Sequence, residues 1–348
     1  MRILVTGGAG FIGSHFVRLL LASHPDCQVT NLDKLTYAGN LENLADCAED
    51  PRYRFVKGDI CDAELVRGLM GESDAVVHFA AESHVDRSIV DSAPFFETNV
   101  RGTFTLLEAA RQVSLERFVH VSTDEVYGPI PPGRWVNEAG ALLPSSPYSA
   151  AKAASDMLVL AYARTYGVPA LITRAGNNYG PFQFPEKFIP LIVSNALEDR
   201  PLPLYGDGLQ VRDWLHVEDH CRALDLLLER GERGEIYNIG TGREHTNLEV
   251  ARAVLDLLGK PQSLITFVED RPAHDRRYAL DCAKLNSSPG WRAAIEFADG
   301  LRRTVEWYAG HPEWVGRVRH GAYREYYERH YVRREETLAA MLRGGGRS

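Results

Sequence analysis

Cysteine is scarce in this sequence and never occurs as a close pair. The five cysteines among 348 residues, Cys27, Cys47, Cys61, Cys221 and Cys282, are widely spaced, odd in number and without a CxxC motif. This pattern argues against a disulfide framework and against a cysteine-ligated zinc site. It favours the reducing environment of the cytoplasm.

Long apolar runs and clusters of basic residues are also missing. No apolar run approaches the roughly 20 residues that a membrane-spanning helix needs. The chain starts directly with "MRILVTGG", a strand and a turn, which does not resemble a signal peptide. The formal net charge is −8, whereas binding to nucleic-acid phosphates needs clustered Lys and Arg. We therefore expect a cytoplasmic protein with neither a membrane nor a nucleic acid as its partner.

What the first 175 residues do contain is a regular alternation of strand-like and helix-like segments. The strand candidates are "RILVT", "QVTNLD", "YRFVKGD", "AVVHFA", "RFVHVS" and "ALITRA". Helical patterns such as "FIGSHFVRLLLAS" and "NVRGTFTLLEAARQ" lie between them. This alternation predicts an α/β fold in which helices cover a parallel, Rossmann-type doubly wound sheet.

Three glycines follow the first strand at three-residue spacing and open the first helix. Gly7, Gly10 and Gly13 would let the backbone turn sharply and approach a pyrophosphate at the positive end of that helix. A glycine triplet alone is also compatible with a plain flexible turn. Asp33, twenty positions after Gly13, ends the second strand, where a carboxylate binds ribose hydroxyls and repels a 2′-phosphate. Together these residues predict an NAD site. Neighbouring Lys34 is a cation that would suit the 2′-phosphate of NADP, so NADP stays an alternative at this point.

The texture of the sequence changes after Gly176. The segment "NNYGPFQFPEKFIP" is rich in proline, glycine and aromatic residues, which suits a loop-built cap over the sheet. In "TNLEVARAVLDLLG", Thr246 and Glu249 fit a capping box and place a helix start. We expect an NAD-binding domain over residues 1–176 with a returning segment near 211–242. A smaller, mixed, interleaved substrate-binding domain would cover 177–330, and 331–348 would be a charged tail with a disordered end.

A tyrosine and a lysine lie one helical turn apart in "SPYSAAKAASDMLVLAYA". Tyr148 and Lys152 would face the same way. A tyrosine with a pKa of about 10 is a poor base near neutrality, but a nearby ammonium stabilises its phenolate. Such a pair accepts a proton from an alcohol while hydride leaves the carbon. The spacing alone also occurs by chance in many helices.

Two acidic residues stand where a buried strand should end. In "VHVSTDEVYG", Asp124 and Glu125 follow the strand exit at Ser122 and Thr123. An exposed Asp-Glu pair in such a turn is usually inert. The carboxyl end of a strand is, however, where such sheets bind ligands. There, like charges in one desolvated pocket push their two pKa values apart, so that one carboxyl can be an acid and the other a base.

These motifs together resemble the extended short-chain dehydrogenase/reductases. The glycine triplet and the Tyr/Lys pair specify only that superfamily. The run Thr123-Asp124-Glu125 resembles the family of dTDP-glucose 4,6-dehydratases in particular, as do "AAESHVDRS", "PLYGDG", "VRDWLHVED" and "EDRPAHDRRYALD". The resemblance extends from about residue 1 to about residue 315. The chain departs from the family pattern at Ala175, Gly176 and Ala273.

The resemblance implies a three-stage reaction on dTDP-glucose with a tightly bound NAD that each turnover regenerates. C4 is oxidised, water is eliminated across C5 and C6, and the hydride returns to C6. In this scheme Tyr148 takes the C4 hydroxyl proton, Thr123 hydrogen-bonds the C4 oxygen, Asp124 is the acid at C6 and Glu125 is the base at C5. The family also pairs the helices "NVRGTFTLLEAARQ" and "SAAKAASDMLVLAYART" in a four-helix bundle, which implies a homodimer.

The binding residues that we expect fall into two sets. The cofactor set is Gly7, Gly10, Phe11, Ile12, Gly13, Asp33, Leu35, Thr36, Asp59, Ile60, Phe79, Ala80, Ala81, Thr98, Tyr148, Lys152 and Asn178. The substrate set is Glu82, Ser83, Thr123, Asn177, Lys187, Phe188, Pro203, Tyr205, Arg212, Asn247, Arg271, His274 and Tyr278. Asn247 could instead simply occupy the first turn of its capped helix, and Lys187 and Arg212 could be ordinary surface cations. No second His or Cys lies at ligand spacing from His274, so we expect no metal.

Other sugar-nucleotide enzymes of the same fold remain as alternatives. A 4-epimerase, a decarboxylase or a dehydratase of another nucleotide sugar would share the cofactor site and the Tyr/Lys pair. The epimerase and the decarboxylase do not need two acids at the strand exit, so Asp124 and Glu125 favour dehydration. A non-catalytic dinucleotide-binding protein would be expected to lack the tyrosine or the lysine, and both are present.

Overall fold

The computed structural model describes residues 1–319 and 327–328. Its strands are β1 Arg2–Thr6, β2 Gln28–Asp33, β3 Tyr53–Lys57, β4 Ala75–His78, β5 Arg117–Thr123, β6 Ala170–Ala175, β7 Asn177–Tyr179, β8 Leu202–Tyr205, β9 Val211–His216, β10 Ile236–Ile239, β11 Glu244–Thr246 and β12 Ile265–Val268. Its α-helices are α1 Phe11–Ser23, α2 Ala63–Gly71, α3 Val85–Val90, α4 Ala93–Phe95, α5 Thr103–Ala110, α6 Pro147–Tyr166, α7 Phe188–Leu197, α8 Val217–Arg230, α9 Asn247–Leu258, α10 Ala283–Ser287, α11 Phe297–Gly310 and α12 Pro312–Val318. The predicted charged tail, 331–348, lies outside the described residues.

Seven parallel strands form the main sheet, in the order β10-β6-β5-β4-β1-β2-β3. The side chains of β1 explain why helices cover both faces. Ile3 and Val5 pack into a core with α1 and α8, whereas Leu4 packs into a second core with α2, α5 and α6. The order of the strands reverses between β1 and β4, and in such sheets ligands bind at this switch point. The predicted α/β, doubly wound fold is confirmed.

Two small sheets complete the fold. One has the order β11-β9-β7 with mixed pairing, and the other pairs β12 with β8. The chain enters them directly after β6 ends at Ala175, then returns through α8 to add β10 to the edge of the main sheet. The boundaries at residues 176, 211–242 and 330 stay a prediction. Within residues 1–319 and 327–328, no helix is both long and apolar enough to cross a bilayer.

Local signals fix the ends of the two helices that matter for the site. Ser146 and Ser149 form a capping box at the start of α6, Pro147 occupies its first turn, and Gly167 closes it in the left-handed conformation at φ 71°. Thr246 and Glu249 form the predicted capping box of α9, so Asn247 is the first residue of that helix.

The predicted helix "NVRGTFTLLEAARQ" is irregular in its first part. Residues Phe96–Gly102 are π-helical and lead into α5. The carbonyl oxygen of Asn99 accepts hydrogen bonds from the hydroxyls of Thr103 and Ser155, each at 2.6 Å. Both donors are side chains, and no spacing pattern in the sequence predicts them.

An ionic cluster is buried between α6 and the sheet. Asp156 accepts a hydrogen bond from Arg174 at 2.8 Å, and the two side chains are 0% and 2% exposed. The Nε2 atom of His120 lies 3.5 Å from the other oxygen of Asp156, and burial lowers the pKa of this imidazole to about 4. Removing one partner of such a buried pair leaves an uncompensated charge in the core, which is strongly destabilising.

Asp156→Asn should therefore destabilise the protein strongly, because it leaves the Arg174 guanidinium unpaired in the core. We expect a loss of about 3–5 kcal/mol in the free energy of unfolding, measured by urea denaturation. The control is Glu306→Gln, which removes an exposed ion pair with Arg302 on α11 and should cost about 0.3–0.5 kcal/mol. Equal effects of the two substitutions would contradict the account.

Candidate active site

A cavity of about 300 Å³ opens at the carboxyl ends of the central strands. All five predicted catalytic residues line it, as do Glu82, Ser83, Asn177 and Lys187 from the predicted substrate set. From the predicted cofactor set the lining residues are Gly7, Gly10, Phe11, Ile12, Gly13, Asp33, Thr36, Asp59, Ile60, Phe79, Ala80, Ala81, Thr98, Tyr148, Lys152 and Asn178. Leu35 is the one member of that set that is not among them.

The glycine turn between β1 and α1 is packed too tightly for side chains. Gly7 has φ +75°, and a Cβ on it would lie 2.6 Å from the backbone nitrogen of Ala80. A Cβ on Gly13 would lie 2.4 Å from the carbonyl oxygen of Gly7. Gly10 caps α1 without a side chain, so the first N–H groups of the helix face the cavity end of β1. Such a turn can cradle a pyrophosphate at the helix N-terminus.

Asp33 lies at the end of β2 with its carboxylate held by the backbone. It accepts hydrogen bonds from the N–H groups of Ala9 at 3.0 Å and Leu35 at 2.8 Å. Leu35 itself has φ 55°, and it does not line the cavity. The ammonium of Lys34 lies 2.7 Å from a carboxylate oxygen of Asp59. Lys34 therefore already has an anionic partner without any 2′-phosphate.

The two acids follow β5 in a short 3₁₀ turn, Asp124–Tyr127, which Thr123 caps. The Thr123 hydroxyl accepts a hydrogen bond from the backbone N–H of Glu125 and donates one to Oδ1 of Asp124, both at 3.2 Å. Asp124 is only 3% exposed, and its Oδ2 atom is buried without a hydrogen-bond partner among the described residues. Glu125 is partly exposed to the cavity.

The surroundings of the two carboxyls differ, although both are desolvated. Burial first, and then the charge of Glu125, raise the pKa of Asp124 well above its usual value. Burial also raises the pKa of Glu125, but Arg271, Arg212 and Lys187 all oppose that rise. A proton shared between the two groups therefore favours Asp124, which leaves Glu125 as the ionised partner.

Tyr148 and Lys152 lie one turn apart on α6, and both side chains are buried. The Lys152 ammonium donates a hydrogen bond to the carbonyl oxygen of Val121 at 2.8 Å, and burial lowers its pKa to about 8. The pKa of Tyr148 is raised by burial and by Glu125, while a hydrogen bond with Thr123 lowers it. Within the protein, desolvation therefore works against the phenolate form of Tyr148, and the role of the Tyr148/Lys152 pair stays a prediction.

A second polar cluster flanks the cavity on the side of the small sheets. Arg271 donates a hydrogen bond to one oxygen of buried Asp86 at 2.8 Å, and Tyr205 donates to the other at 2.7 Å. Arg212 lies over the ring of Tyr278, with 4.4 Å between the guanidinium carbon and the ring centroid. The positive charges of both arginines lower the pKa of Glu125, so this cluster lies close to the acid pair.

The other predicted substrate residues lie near this second cluster or in the small sheets, and none of them lines the cavity. Phe188, the first residue of α7, stacks on Trp214 with ring centroids 5.9 Å apart. His274 bonds Asp270 at 2.6 Å and packs edge-on against Tyr205. Pro203 is buried in β8, and Asn247 starts α9. The roles of all these residues stay predictions. No cluster of potential metal ligands occurs within residues 1–319 and 327–328.

Several lining residues were missed in the sequence. Tyr37 and Phe184 close one wall with an edge-on contact of 5.5 Å between ring centroids. His220, on α8, bonds the side chain of Asn178 through Nδ1 at 2.9 Å. Asp86 does not line the cavity but bonds Arg271. It lies in the quoted motif "AAESHVDRS", and nothing in the spacing indicated a partner 185 positions away.

Comparison with known proteins gives consistent results. A family profile described as GDP-mannose 4,6 dehydratase matches residues 4–304. The chain is 54% identical to a dTDP-glucose 4,6-dehydratase of Actinoplanes over 90% of this chain and 99% of that protein. It is 51% identical to a dTDP-glucose 4,6-dehydratase of Salmonella typhimurium over 96% of this chain and all of that one. A crystal structure of a dTDP-glucose 4,6-dehydratase from Streptomyces venezuelae with NAD bound superposes with a TM-score of 0.89. It shares 55% identity, and the match covers 91% of this chain and all of that one.

Proposed function

We infer, from the premise that this chain belongs to the dTDP-glucose 4,6-dehydratase family, that it is an NAD-dependent hydro-lyase acting on dTDP-glucose. It converts that substrate to dTDP-4-keto-6-deoxyglucose with loss of water. One observation carries this inference beyond the overall similarity. Two carboxyls of unlike environment, Asp124 and Glu125, line the same cavity as Tyr148 and Lys152.

The residues present fit NAD as the resident cofactor. The turn at Gly7 and Gly13 leaves no room for side chains and can hold a pyrophosphate, and Asp33 offers a carboxylate to the ribose hydroxyls. NAD, when bound, supplies the hydride acceptor for C4 and the hydride donor for C6, and its oxidised ring carries a positive charge.

Tyr148 accepts the proton of the C4 hydroxyl in the proposed mechanism. Lys152, one turn further along α6 and bonded to the carbonyl oxygen of Val121, is the residue that we assign to supply the positive charge that the phenolate requires. Thr123 orients the C4 oxygen from the end of β5. The 4-ketone that results acidifies the C5 proton, which makes elimination possible.

Asp124 and Glu125 then divide the elimination between them. Glu125, ionised beside three cations, removes the C5 proton. Asp124, protonated in its buried site, gives a proton to the C6 oxygen as the C–O bond breaks and water leaves. Glu125 afterwards returns a proton to C5. Asn177, Lys187 and Arg212 are the residues that we assign to the diphosphate region, because Arg in particular can donate two hydrogen bonds to one phosphate.

The activity should fall at low pH, and the pKa that describes this fall should be that of Glu125, which lies above 4.5, the usual value for a glutamate. Glu125 must be ionised to act as a base, and its raised pKa means that this form is lost earlier as the pH falls. The dependence of kcat/KM on pH measures this directly. Lys187→Met removes one of the cations that stabilise the ionised form, so it should move the acid limb to still higher pH. A limb at or below 4.5 in both proteins would contradict the assignment.

We propose a homodimer formed through α5 and α6. Three large apolar residues on these helices are exposed in the single chain, with exposed fractions of 44% for Phe104, 46% for Met157 and 53% for Tyr166. Met157→Glu should halve the mass measured by light scattering, because a charge would be buried at the interface. Leu257→Glu, at an equally exposed apolar position on α9, is the control and should leave the mass unchanged. A monomeric parent protein would refute the proposal.

We also propose a cytoplasmic location, since all five cysteines are free thiols, as a reducing compartment allows.

The experiment that tests the function is incubation of the purified protein with dTDP-glucose in deuterated water, without added NAD. A 4-keto-6-deoxy product with deuterium at C5, identified by mass spectrometry and NMR, is the expected result. Parallel reactions with UDP-glucose measure the selectivity for the nucleotide. A C4 epimer, or no loss of water even with NAD supplied, would overturn the proposal.

A further inference from the structure

Two aromatic side chains, Tyr37 and Phe184, lie between the active-site cavity and a second cavity of about 330 Å³. Each of them lines both cavities, so this aromatic wall is one layer of side chains thick. The two rings meet edge-on, with 5.5 Å between their centroids. The second cavity is also lined by Glu42 and Arg317, an exposed ion pair, and therefore reaches the surface.

The aromatic wall lies at the end of the active-site cavity that fits the dinucleotide. Tyr37 belongs to the loop that follows Asp33 and β2. A Cβ on Gly39, in the same loop, would lie 2.9 Å from Oδ1 of Asp33. The backbone N–H of Asn40 donates a hydrogen bond to the carbonyl oxygen of Ala9, in the glycine turn, at 3.0 Å. The loop that carries Tyr37 is thus folded against the groups that we assign to the ribose and the pyrophosphate.

An ion pair joins the two halves of the aromatic wall. The guanidinium carbon of Arg87, on α3, lies 4.0 Å from the centroid of the Tyr37 ring, within the range of a cation–π contact. The Nε and Nη2 atoms of Arg87 lie 2.9 Å and 2.8 Å from Oε2 of Glu186, which follows Phe184 by two positions. The carbonyl oxygen of Glu186 also accepts a hydrogen bond from Nε2 of His84 at 3.3 Å. These contacts connect the loop after β2, α3 and the segment before α7.

The proposed chemistry makes retention of the cofactor necessary. A cofactor that serves both hydride transfers must stay bound between them, because its loss would leave an oxidised sugar that cannot be completed. Tyr37, Arg87 and Glu186 have no part in the proton transfers proposed above. The Glu186 side chain is nevertheless fully buried, at 0% exposure, and paired with a cation.

We propose that Arg87, held by Glu186, keeps Tyr37 against Phe184, and that the aromatic wall closed in this way slows the release of NAD. The three polar and aromatic partners of Phe184 are positioning residues, since they act on the wall and not on the reacting atoms. The inference goes beyond the proposed function. It needs only that NAD is the cofactor, so its test is independent of the sugar.

Exchange of the bound NAD for radiolabelled NAD in the medium measures this release directly. Tyr37→Ala removes one ring of the wall and leaves no buried charge unpaired. It should speed the exchange by about tenfold or more, because the ring contact and the cation–π contact are both lost. Tyr37→Phe keeps the ring and should exchange at the rate of the parent protein. Trp135→Ala is the distant control, because it removes a cation–π contact with Arg277 from an exposed ring that lines neither cavity.

A second variant tests the ion pair. Arg87→Met combined with Glu186→Gln removes both charges together, because Arg87→Met alone would leave the buried carboxylate of Glu186 unpaired. This double variant should exchange NAD about fivefold faster or more, since Tyr37 loses its cation–π partner. It also decides the matter if Tyr37→Ala does not fold.

Three results would overturn the proposal. Exchange at the parent's rate in Tyr37→Ala would show that NAD does not leave past the aromatic wall. The parent's rate in the double variant would show that Arg87 and Glu186 do not hold the wall closed. Fast exchange in Tyr37→Phe or Trp135→Ala would assign the effect to a cause other than the ring of Tyr37. The proposed function fails differently, by the absence of a 4-keto-6-deoxy product from the parent protein with NAD supplied.

Discussion

Asp124→Asn should stop the reaction after the sugar has been oxidised. The amide has no acidic proton for the C6 oxygen, while the groups that act at C4, Tyr148 and Lys152, are untouched. We expect formation of the 4-keto-6-deoxy product to fall by about 10²–10⁴-fold, the usual contribution of a positioned acid. Mass spectrometry of quenched reactions should instead detect a nucleotide sugar that has lost two hydrogens and no water.

The small change in volume makes this substitution informative. Asn keeps the shape of the side chain and can still accept the hydrogen bond from Thr123, so folding should be preserved. Asp26→Asn, at an exposed position before β2, is the control and should have the activity of the parent protein. Normal elimination by Asp124→Asn would contradict the assignment of Asp124 as the acid.

Tyr148→Phe should stop the reaction one stage earlier. Phenylalanine cannot accept the proton of the C4 hydroxyl, so neither an oxidised sugar nor a dehydrated one should accumulate. We expect a loss of at least about 10²–10⁴-fold in overall turnover. The readout is the same mass spectrum, and the unreacted substrate is now the only expected sugar.

Tyr166→Phe makes the same chemical change at the other end of α6. Tyr166 is 53% exposed, and its ring contacts Tyr162 rather than the cavity, so the activity should be retained. The decisive point is the stage at which each variant stops the reaction: Tyr148→Phe before C4 is oxidised, and Asp124→Asn after it. If Tyr148→Phe accumulated the oxidised sugar, the proton acceptor for C4 would have to be another group.

The elements that the sequence predicted well are those with a local cause. Helix α1 has the predicted bounds because a glycine turn opens it, and α9 starts where Thr246 and Glu249 form their capping box. Six strands of the main sheet were recognisable as short strand-like segments between helical patterns. No local pattern predicted the π-helical part, Phe96–Gly102, where the carbonyl oxygen of Asn99 accepts a hydrogen bond from Ser155 on α6, 56 residues further along the chain.

The same distinction applies to the cavity. Its glycines, Asp33, the acid pair and the Tyr/Lys pair carry short-range signals, and all of them line it. His220 and Asp86 form hydrogen bonds with residues more than 40 positions away in the sequence, so no short motif predicts their roles. The raised pKa of Tyr148 is likewise a consequence of burial, which the spacing of Tyr148 and Lys152 does not report.

The most direct test of the central claim is the fate of the hydrogen on C4. The holoenzyme should be given dTDP-glucose with deuterium at C4 in ordinary water, and the product examined by NMR. The account predicts that the deuterium appears in the C6 methyl group, because one bound cofactor takes it from C4 and returns it to C6 while Asp124 and Glu125 eliminate water. Deuterium that stayed at C4, or was lost to the solvent, would contradict the account.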